Sequence, residues 1–330
     1  YQHQHAANRR AAFLYLLMAH IGGLAILLGF GVLAGFGSGF TFGAMRAAEL
    51  SATWASIAFA LAFFGFGMKA GMVPLHAWLP EAHPVAPSHI SALMSGVMLK
   101  VALYGLIRVT YDLIGDIQWQ WGLVLLVIGS TSTLLGVLYA MLRNNLKRLL
   151  AYSSIENVGI ILSGLGLSMI FIGTGHKILG VIGLIAALYH ILSHALFKGL
   201  LFLGAGAIAH ATHEYDLNNM GGLIRRMPQT AVFFLIGAMS ISGIPLLNGF
   251  ISEWLTFQTA LQAPVLESGV LRSIIPVAAA VLALSAALAA ACFVKVYGVA
   301  FLGQARSRHA ARAREVDVGM RAAMGLLAVL

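Results

Sequence analysis

The stretch Ile178-Leu-Gly-Val-Ile-Gly-Leu-Ile-Ala-Ala-Leu-Tyr-His190-Ile-Leu-Ser-His194-Ala-Leu-Phe-Lys198-Gly-Leu-Leu-Phe-Leu-Gly-Ala-Gly-Ala-Ile-Ala209 carries one charged residue, Lys198. A bilayer core about 30 Å thick is crossed by about 20 apolar residues in a helix, so this run is long enough to span with residues to spare. His190, His194 and Lys198 recur at steps of four and therefore share a helix face. The rest of the chain has the same character. Of 330 residues, 60% are apolar and 9% charged, with a mean hydropathy of +0.89; soluble domains carry roughly 25% charged residues. That excludes an ordinary cytosolic enzyme, a disordered chain and a disulfide-stapled secreted domain. The single cysteine, Cys292, excludes an Fe–S cluster, which needs several thiolates, and a c-type haem, which needs a C-x-x-C-H motif.

Eight segments satisfy the length requirement: approximately 11–35, 51–75, 91–111, 121–142, 150–171, 178–209, 229–262 and 272–302. A truncated ninth begins near Met324. The fold class is an all-α, polytopic transmembrane bundle. A barrel is excluded, because the runs are continuous rather than alternating and too long for strands of about 10 residues. Broken helices are expected in the second span (Gly67, Gly71, Pro74), the sixth (Ser193) and the seventh (Gly243, Pro245, Gly249). The second and seventh lie five spans apart and so cross in opposite directions, the pattern of inverted repeats with ion sites at the midplane. Residues 1–330 read as one transmembrane domain, an internal fragment of a longer subunit: the chain starts at Tyr1 and stops inside an apolar run.

The cations set the orientation. With alternating crossings, twelve Lys and Arg fall on the side of residue 1 (Arg9, Arg10, Arg143, Lys147, Arg148, Arg225, Arg226 and five from Arg306 to Arg321). Four fall on the other (Arg46, Arg108, Lys177, Arg272). By the positive-inside rule the richer side is cytoplasmic. The isoelectric point near 9.9 is thereby a topology signal and no sign of nucleic acid.

Six ionisable residues lie inside spans: Lys69, Lys100, Glu156, Lys198, Glu253 and Lys295. An ionised group at a helix centre costs about 2.5–3.5 kcal/mol on insertion scales, so each needs a hydrated interior, a partner or a neutral state. Lys100 is too deep to snorkel. Lys198 with His190 and His194 has the form of a proton relay, against the alternative of a polar packing stripe. Lys69 and Glu253 sit beside Gly/Pro breaks, where half-helix ends favour charge. Further candidates are Lys295, for which snorkelling is the alternative, Glu156, for which pairing with Lys147 and Arg148 is the alternative, and His20, a lone histidine for which packing is the alternative. The Leu79–His89 segment reads as a rigid polar extracytoplasmic cap. His210, His213, Glu214 and Asp216 read as a solvated loop. No zincin, Walker or G-x-G-x-x-G pattern is present, so no metal, nucleotide or other cofactor is expected in this chain.

Lys69-Ala-Gly-Met-Val-Pro-Leu-His-Ala-Trp-Leu-Pro-Glu-Ala-His-Pro-Val-Ala-Pro-Ser, Asn145-Leu-Lys-Arg-Leu-Leu-Ala-Tyr-Ser-Ser, His194-Ala-Leu-Phe-Lys-Gly-Leu-Leu-Phe and Met220-Gly-Gly-Leu resemble the antiporter-like subunits of respiratory complex I, membrane-bound hydrogenases and multi-subunit sodium/proton antiporters. Ser91-Ala-Leu-Met-Ser-Gly-Val-Met-Leu-Lys100 and Asn248-Gly-Phe-Ile-Ser-Glu-Trp look most like the branch of hydrogenase-4 component B and the formate hydrogenlyase membrane subunit.

The resemblance implies that these spans are the sixth to thirteenth of a fourteen-helix core. Lys69 would match the essential lysine of the broken seventh helix, and Lys100 that of the eighth. Lys198, with His190 and His194, would match the central relay of the eleventh, and Glu253 the charged residue of the broken twelfth, which is Lys in some branches. The family's glutamate on the fifth helix has no counterpart here. The implied function is proton translocation along Lys69, Lys100, Lys198 and Glu253 in a redox-driven complex of the bacterial or archaeal plasma membrane. Implied partners are the lipid bilayer, other membrane subunits and a peripheral redox arm of nickel hydrogenase and Fe–S subunits. The alternatives are a complex I subunit beside NADH dehydrogenase subunits, or a Na⁺/H⁺ antiporter subunit moving Na⁺ as well.

Overall fold

The computed structural model describes residues 5–330. Seven helices are long and apolar enough to cross a membrane: α1 (Ala6–Phe36), α2 (Ala52–Ala70), α4 (Ser88–Ile114), α5 (Trp119–Met141), α6 (Leu146–Gly173), α7 (Lys177–Thr212) and α10 (Gly269–Phe301). Between α2 and α4 lies the short helix α3 (Leu79–Val85). Two half-length helices, α8 (Pro228–Ile241) and α9 (Asn248–Ala260), stand where the seventh span was expected, and α11 (Val318–Val329) is a further short apolar helix. No strand occurs among the described residues.

The two expected breaks at Gly/Pro sites are present. Helix α2 ends at Gly71, whose φ of +75° favours glycine, and the chain resumes helix only at Leu79. Helix α8 stops before Gly243, φ +61°, and α9 starts at Asn248. The sixth span is different. Ser193 does not interrupt α7, which runs unbroken for 36 residues, about 54 Å at 1.5 Å per residue. A serine keeps its backbone N–H and fits any turn of a helix, so without Pro or a positive-φ residue there is nothing to break it. Its excess length carries the helix past the bilayer core.

Helix α6 is the axis of the bundle. From Ser153 to Phe171 every residue is buried, as expected of a helix apolar on all sides. It packs antiparallel against α5 through glycines spaced by seven: Gly122, Gly129 and Gly136 on α5, Gly159, Gly166 and Gly173 on α6. A methyl group at Gly159 would lie 2.5 Å from the Gly129 carbonyl oxygen. In lipid no hydrophobic force pulls helices together, so van der Waals contact between small residues does so.

The loops sort to two ends. At one, Leu146 N–H donates to Tyr215 O, Leu217 N–H to Asn144 O, Gly222 N–H to Leu302 O and Arg306 N–H to Met220 O, gathering the segments richest in Arg and Lys. At the other, Arg46 and Arg108 share Asp112. Helix α3 belongs to the first end: Arg148 pairs with Glu81 at 2.9 Å and the Lys147 ammonium donates to Ala86 O. This corrects the reading of Leu79–His89 as a cap on the opposite face. The segment is helical, and Leu79, Pro80, Ala82 and His83 are buried, because the break after α2 turns the chain back into the bundle.

Candidate functional site

Where α4, α6, α7 and α9 meet, the apolar core contains one connected polar cluster. Helix α4 contributes Lys100 just after a π-helical turn, Met94–Met98, the kind of local widening that recurs at functional sites. The Lys100 ammonium donates to Ser95 O in that turn and lies 3.0 Å from His194 Nδ1 on α7. The Ser95 hydroxyl lies 2.8 Å from that of Ser154 on α6, and Ser154 donates to Leu150 O at 2.9 Å. The same carbonyl accepts from the Lys198 ammonium at 2.9 Å, and Lys198 also donates to the Ser153 hydroxyl. Lys198 is 0% exposed. Its four-carbon stem spans the α6–α7 interface and its head ends on oxygens, which replace part of the water it has lost.

His190, one turn earlier on α7, joins three helices. Its Nε2 lies 3.1 Å from Asn157 Oδ1 on α6 and its Nδ1 lies 2.8 Å from the Ser252 hydroxyl on α9. Asn157 Nδ2 donates to Ser153 O at 2.7 Å, which fixes the amide with its oxygen towards the ring. Nε2 therefore carries hydrogen. The Ser252 hydroxyl has a second partner, Gly249 O at 2.8 Å, and one hydrogen to give. If Ser252 donates to Nδ1, the ring is neutral. If Ser252 turns to Gly249 O, Nδ1 must be the donor and the ring is a cation. Both states keep every group around the ring hydrogen-bonded, so proton occupancy of His190 is tied to rotation of one hydroxyl.

The carboxylates frame this cluster. Glu156 is 2% exposed and its Oε2 has no hydrogen-bond partner. Lys147 and Arg148 have other partners, Ala86 O and Glu81, so Glu156 belongs to the interior. Glu253 lies in the second turn of α9, past the reach of its N-terminal dipole. It folds back over the hinge instead: a methyl on Gly243 would be 2.8 Å from Glu253 Oε2. Among the described residues the ion pairs are Arg46–Asp112, Arg108–Asp112 and Arg148–Glu81, so no buried lysine has a carboxylate in direct contact.

Lys69 stands apart. It is half-buried, lines a cavity of about 340 Å³ with Tyr15, Trp78, Met98 and Val101, and reaches Ala19 O on α1 at 3.5 Å. The carbonyl freed at the α2 break, Met68 O, is taken by the Trp78 indole at 2.8 Å rather than by the lysine. Lys295 donates to Met141 O, at the end of α5. His20 is exposed and bonds Leu16 O on its own helix. Neither joins the cluster. No group of three or more His, Cys, Asp or Glu residues among those described is arranged to hold a metal ion.

Sequence reasoning found the titratable members and missed the residues that connect them: Ser95, Ser153, Ser154, Asn157 and Ser252. A signal existed in Ser153-Ser-Ile-Glu-Asn157, four polar residues in five within an otherwise apolar span.

A polytopic helix bundle with two broken helices and buried lysines and histidines has the form of an antiporter-like membrane subunit. The chain belongs to the NADH:quinone oxidoreductase/Mrp antiporter transmembrane family, whose match covers residues 1–282. It is 49% identical over 329 residues to hydrogenase-4 component B of Escherichia coli K12, which covers 99% of this chain and 49% of that protein. Formate hydrogenlyase subunit 3 of the same organism is 40% identical over 269 residues, covering 82% of this chain and 44% of the relative. A subunit of the Mrp complex from Dietzia sp. DQ12-45-1b superimposes with a TM-score of 0.83 at 25% identity, over 98% of this chain and 64% of that one. The chain thus spans about half the length of the curated relatives it matches.

Proposed function

We propose that this chain is the proton-conducting core of an antiporter-like subunit in a redox-driven membrane complex of the hydrogenase-4 and formate hydrogenlyase type. The observation that carries the reading is the connected cluster from Lys100 to Ser252 inside an otherwise apolar bundle. Proton conduction needs groups that accept and release a proton within hydrogen-bond reach of one another. Lys100 and His194 meet that condition directly, and His190 is bonded to Ser252 of α9, the helix that carries Glu253. The path runs Lys69, Lys100, Lys198 and Glu253, with His194 and His190 on the face of α7 that carries Lys198. Lys198 is bonded to the same Leu150 carbonyl as Ser154, which meets Ser95 beside Lys100, and Lys69 lines the cavity between α1, α2 and α4.

The redox chemistry belongs to partner subunits, a nickel hydrogenase and its Fe–S proteins, a reading supported by the similarity to hydrogenase-4 component B and formate hydrogenlyase subunit 3. The Arg- and Lys-rich end faces the cytoplasm of a bacterial or archaeal cell by the positive-inside rule. The test is Lys198→Ala in the full-length protein within its complex, assayed as redox-driven proton uptake by inverted membrane vesicles. Proton uptake is expected to vanish while the complex still assembles. Normal uptake by the variant would overturn the path.

A further inference from the structure

Between α8 and α10 runs an open groove of about 190 Å³. Its walls are apolar: Leu235 and Met239 from α8, Val294, Gly298 and Leu302 from α10. A methyl added at Gly298 would meet nothing within 4 Å, so the groove stands empty of protein at that level. From Leu302 back to Val294 it follows eight residues of chain, about 12 Å at 1.5 Å per residue. Ser242 and Ile244 close its far end, on either side of the hinge residue Gly243. The shape is that of a slot for a hydrocarbon chain.

The near end opens at the Arg- and Lys-rich face. There the turn Leu223–Arg225 packs on both α8 and α10, and Gly222 N–H donates to Leu302 O of the groove wall. Arg225 and Arg226 are exposed at this mouth. Arg306 joins them from the loop after α10: its guanidinium donates to Val299 O, in the last turn of that helix, and to Leu217 O at 3.2 Å. Among the described residues, none of these three arginines has a carboxylate within ion-pair range. The acidic residues of the neighbouring segment are committed to helix starts. Glu315 accepts from Gln229 N–H and the Thr230 hydroxyl, and Asp317 from Met320 N–H. Ile224 and Leu302 lie exposed beside the arginines, so cationic and apolar groups meet at one level of the surface.

The positive-inside rule accounts for the side on which these arginines lie; it does not account for their position at the head of an apolar slot. Guanidinium groups hold phosphate oxygens through paired N–H donors. We propose that this is a binding site for an anionic phospholipid, its phosphate on Arg225, Arg226 and Arg306 and one acyl chain laid between α8 and α10 as far as the hinge. An acidic protein surface would satisfy the arginines and leave the groove unfilled. A zwitterionic lipid would fill the groove and bring a cation of its own to the arginines. A lipid of net negative charge matches both halves. The site lies outside the proton path and does not depend on that reading.

The experiment uses the full-length protein in its complex, solubilised in detergent. The probes are phosphatidylglycerol and phosphatidylcholine, each with a photoactivatable diazirine in one acyl chain, and the cross-linked peptides are identified by mass spectrometry. Phosphatidylglycerol is expected to label the groove peptides of α8 and α10 at least ten-fold more than phosphatidylcholine does. Arg225→Gln/Arg226→Gln should lower that labelling about ten-fold, the effect of two cations at an anionic lipid. Gly298→Leu, which fills the groove from a position with room for the side chain, should lower it as much. Competition in the parent decides if a variant does not assemble: unlabelled phosphatidylglycerol should displace the probe, and phosphatidylcholine at the same concentration should not. Equal labelling by the two lipids overturns the site. So does an unlabelled groove in the parent complex, the result if a partner subunit covers this face. Loss in the arginine variant with parental labelling in Gly298→Leu also overturns it, since charge alone would then attract the lipid.

Discussion

Lys100 Nζ lies 3.0 Å from His194 Nδ1, and among the described residues neither has a carboxylate within ion-pair range. A hydrogen bond this short needs one donor and one acceptor, so the pair holds at most one excess proton. As an ammonium, Lys100 donates to neutral His194; as an amine, it accepts from Nδ1–H. Two cations at that distance would repel by about 5 kcal/mol at an effective dielectric constant near 20. Arrival of a second proton must therefore expel the first, which is the elementary act of a relay.

The two side chains should then behave as one unit. Lys100→Met and His194→Phe are each expected to lower redox-driven proton uptake ten-fold or more, and the double variant no further. A double-mutant cycle on uptake rates reads the coupling, expected to be on the order of 1–3 kcal/mol, as for residues in direct contact. Additive losses would show that the two act separately.

Ser252 is the hydroxyl that lets His190 be either neutral or protonated without an unsatisfied neighbour. In Ser252→Ala the ring nitrogen Nδ1 loses its partner, at a cost of about 1–3 kcal/mol to whichever state needs it. Uptake is expected to drop about ten-fold, and Ser252→Thr, which keeps the hydroxyl, to restore most of it. A merely structural role would show equal losses of thermal stability in both variants and no selective rescue.

The helical spans and their alternation were legible in the sequence because each apolar run is set by bilayer thickness, and the Arg- and Lys-rich loops gather at one end. The breaks near Gly71 and Gly243 were legible because positive-φ glycines and prolines punctuate a helix locally. Ser193 misled, since length alone does not bend a helix whose backbone bonds are all available. Lys100, His194, Lys198 and His190 stand out by their charge in an apolar setting. What joins them, Ser95, Ser154 and Asn157, is set by which helix faces meet, and serines in membrane helices are common enough to pass unnoticed. His83 was misplaced for the same reason: its polar, proline-rich surroundings look like a loop until the chain is seen to fold back into the core.

The seven-residue glycine ladder predicts where the bundle tolerates no bulk. A Cβ at Gly129 would lie 2.7 Å from Ser163 N, and one at Gly159 2.5 Å from Gly129 O. Both contacts are with backbone, which cannot swing aside. Gly129→Val and Gly159→Val are each expected to destabilise the bundle by more than about 2 kcal/mol, beyond the usual 1–3 kcal/mol of overpacking at its lower end. The check is thermal aggregation of the detergent-solubilised protein. Gly31, whose added Cβ would meet nothing within 4 Å, should accept alanine without loss.

Lys295 and His20 look in sequence like further steps of the relay, and their surroundings predict otherwise. The Lys295 ammonium donates to Met141 O, 2.9 Å away, at the last residue of α5, where a free carbonyl and the negative end of the helix dipole favour a cation by about 0.3–1 kcal/mol. Lys295→Met is therefore expected to lower thermal stability by about 1 kcal/mol and to leave proton uptake within two-fold of the parent. His20 bonds the carbonyl one turn before it, on an exposed face of α1, and His20→Leu should change neither quantity. Measured beside Lys198→Ala, these variants separate a lysine that closes a helix end from one that lies within the path. A ten-fold loss of uptake in Lys295→Met would extend the relay to α10 and refute its confinement to α4, α6, α7 and α9.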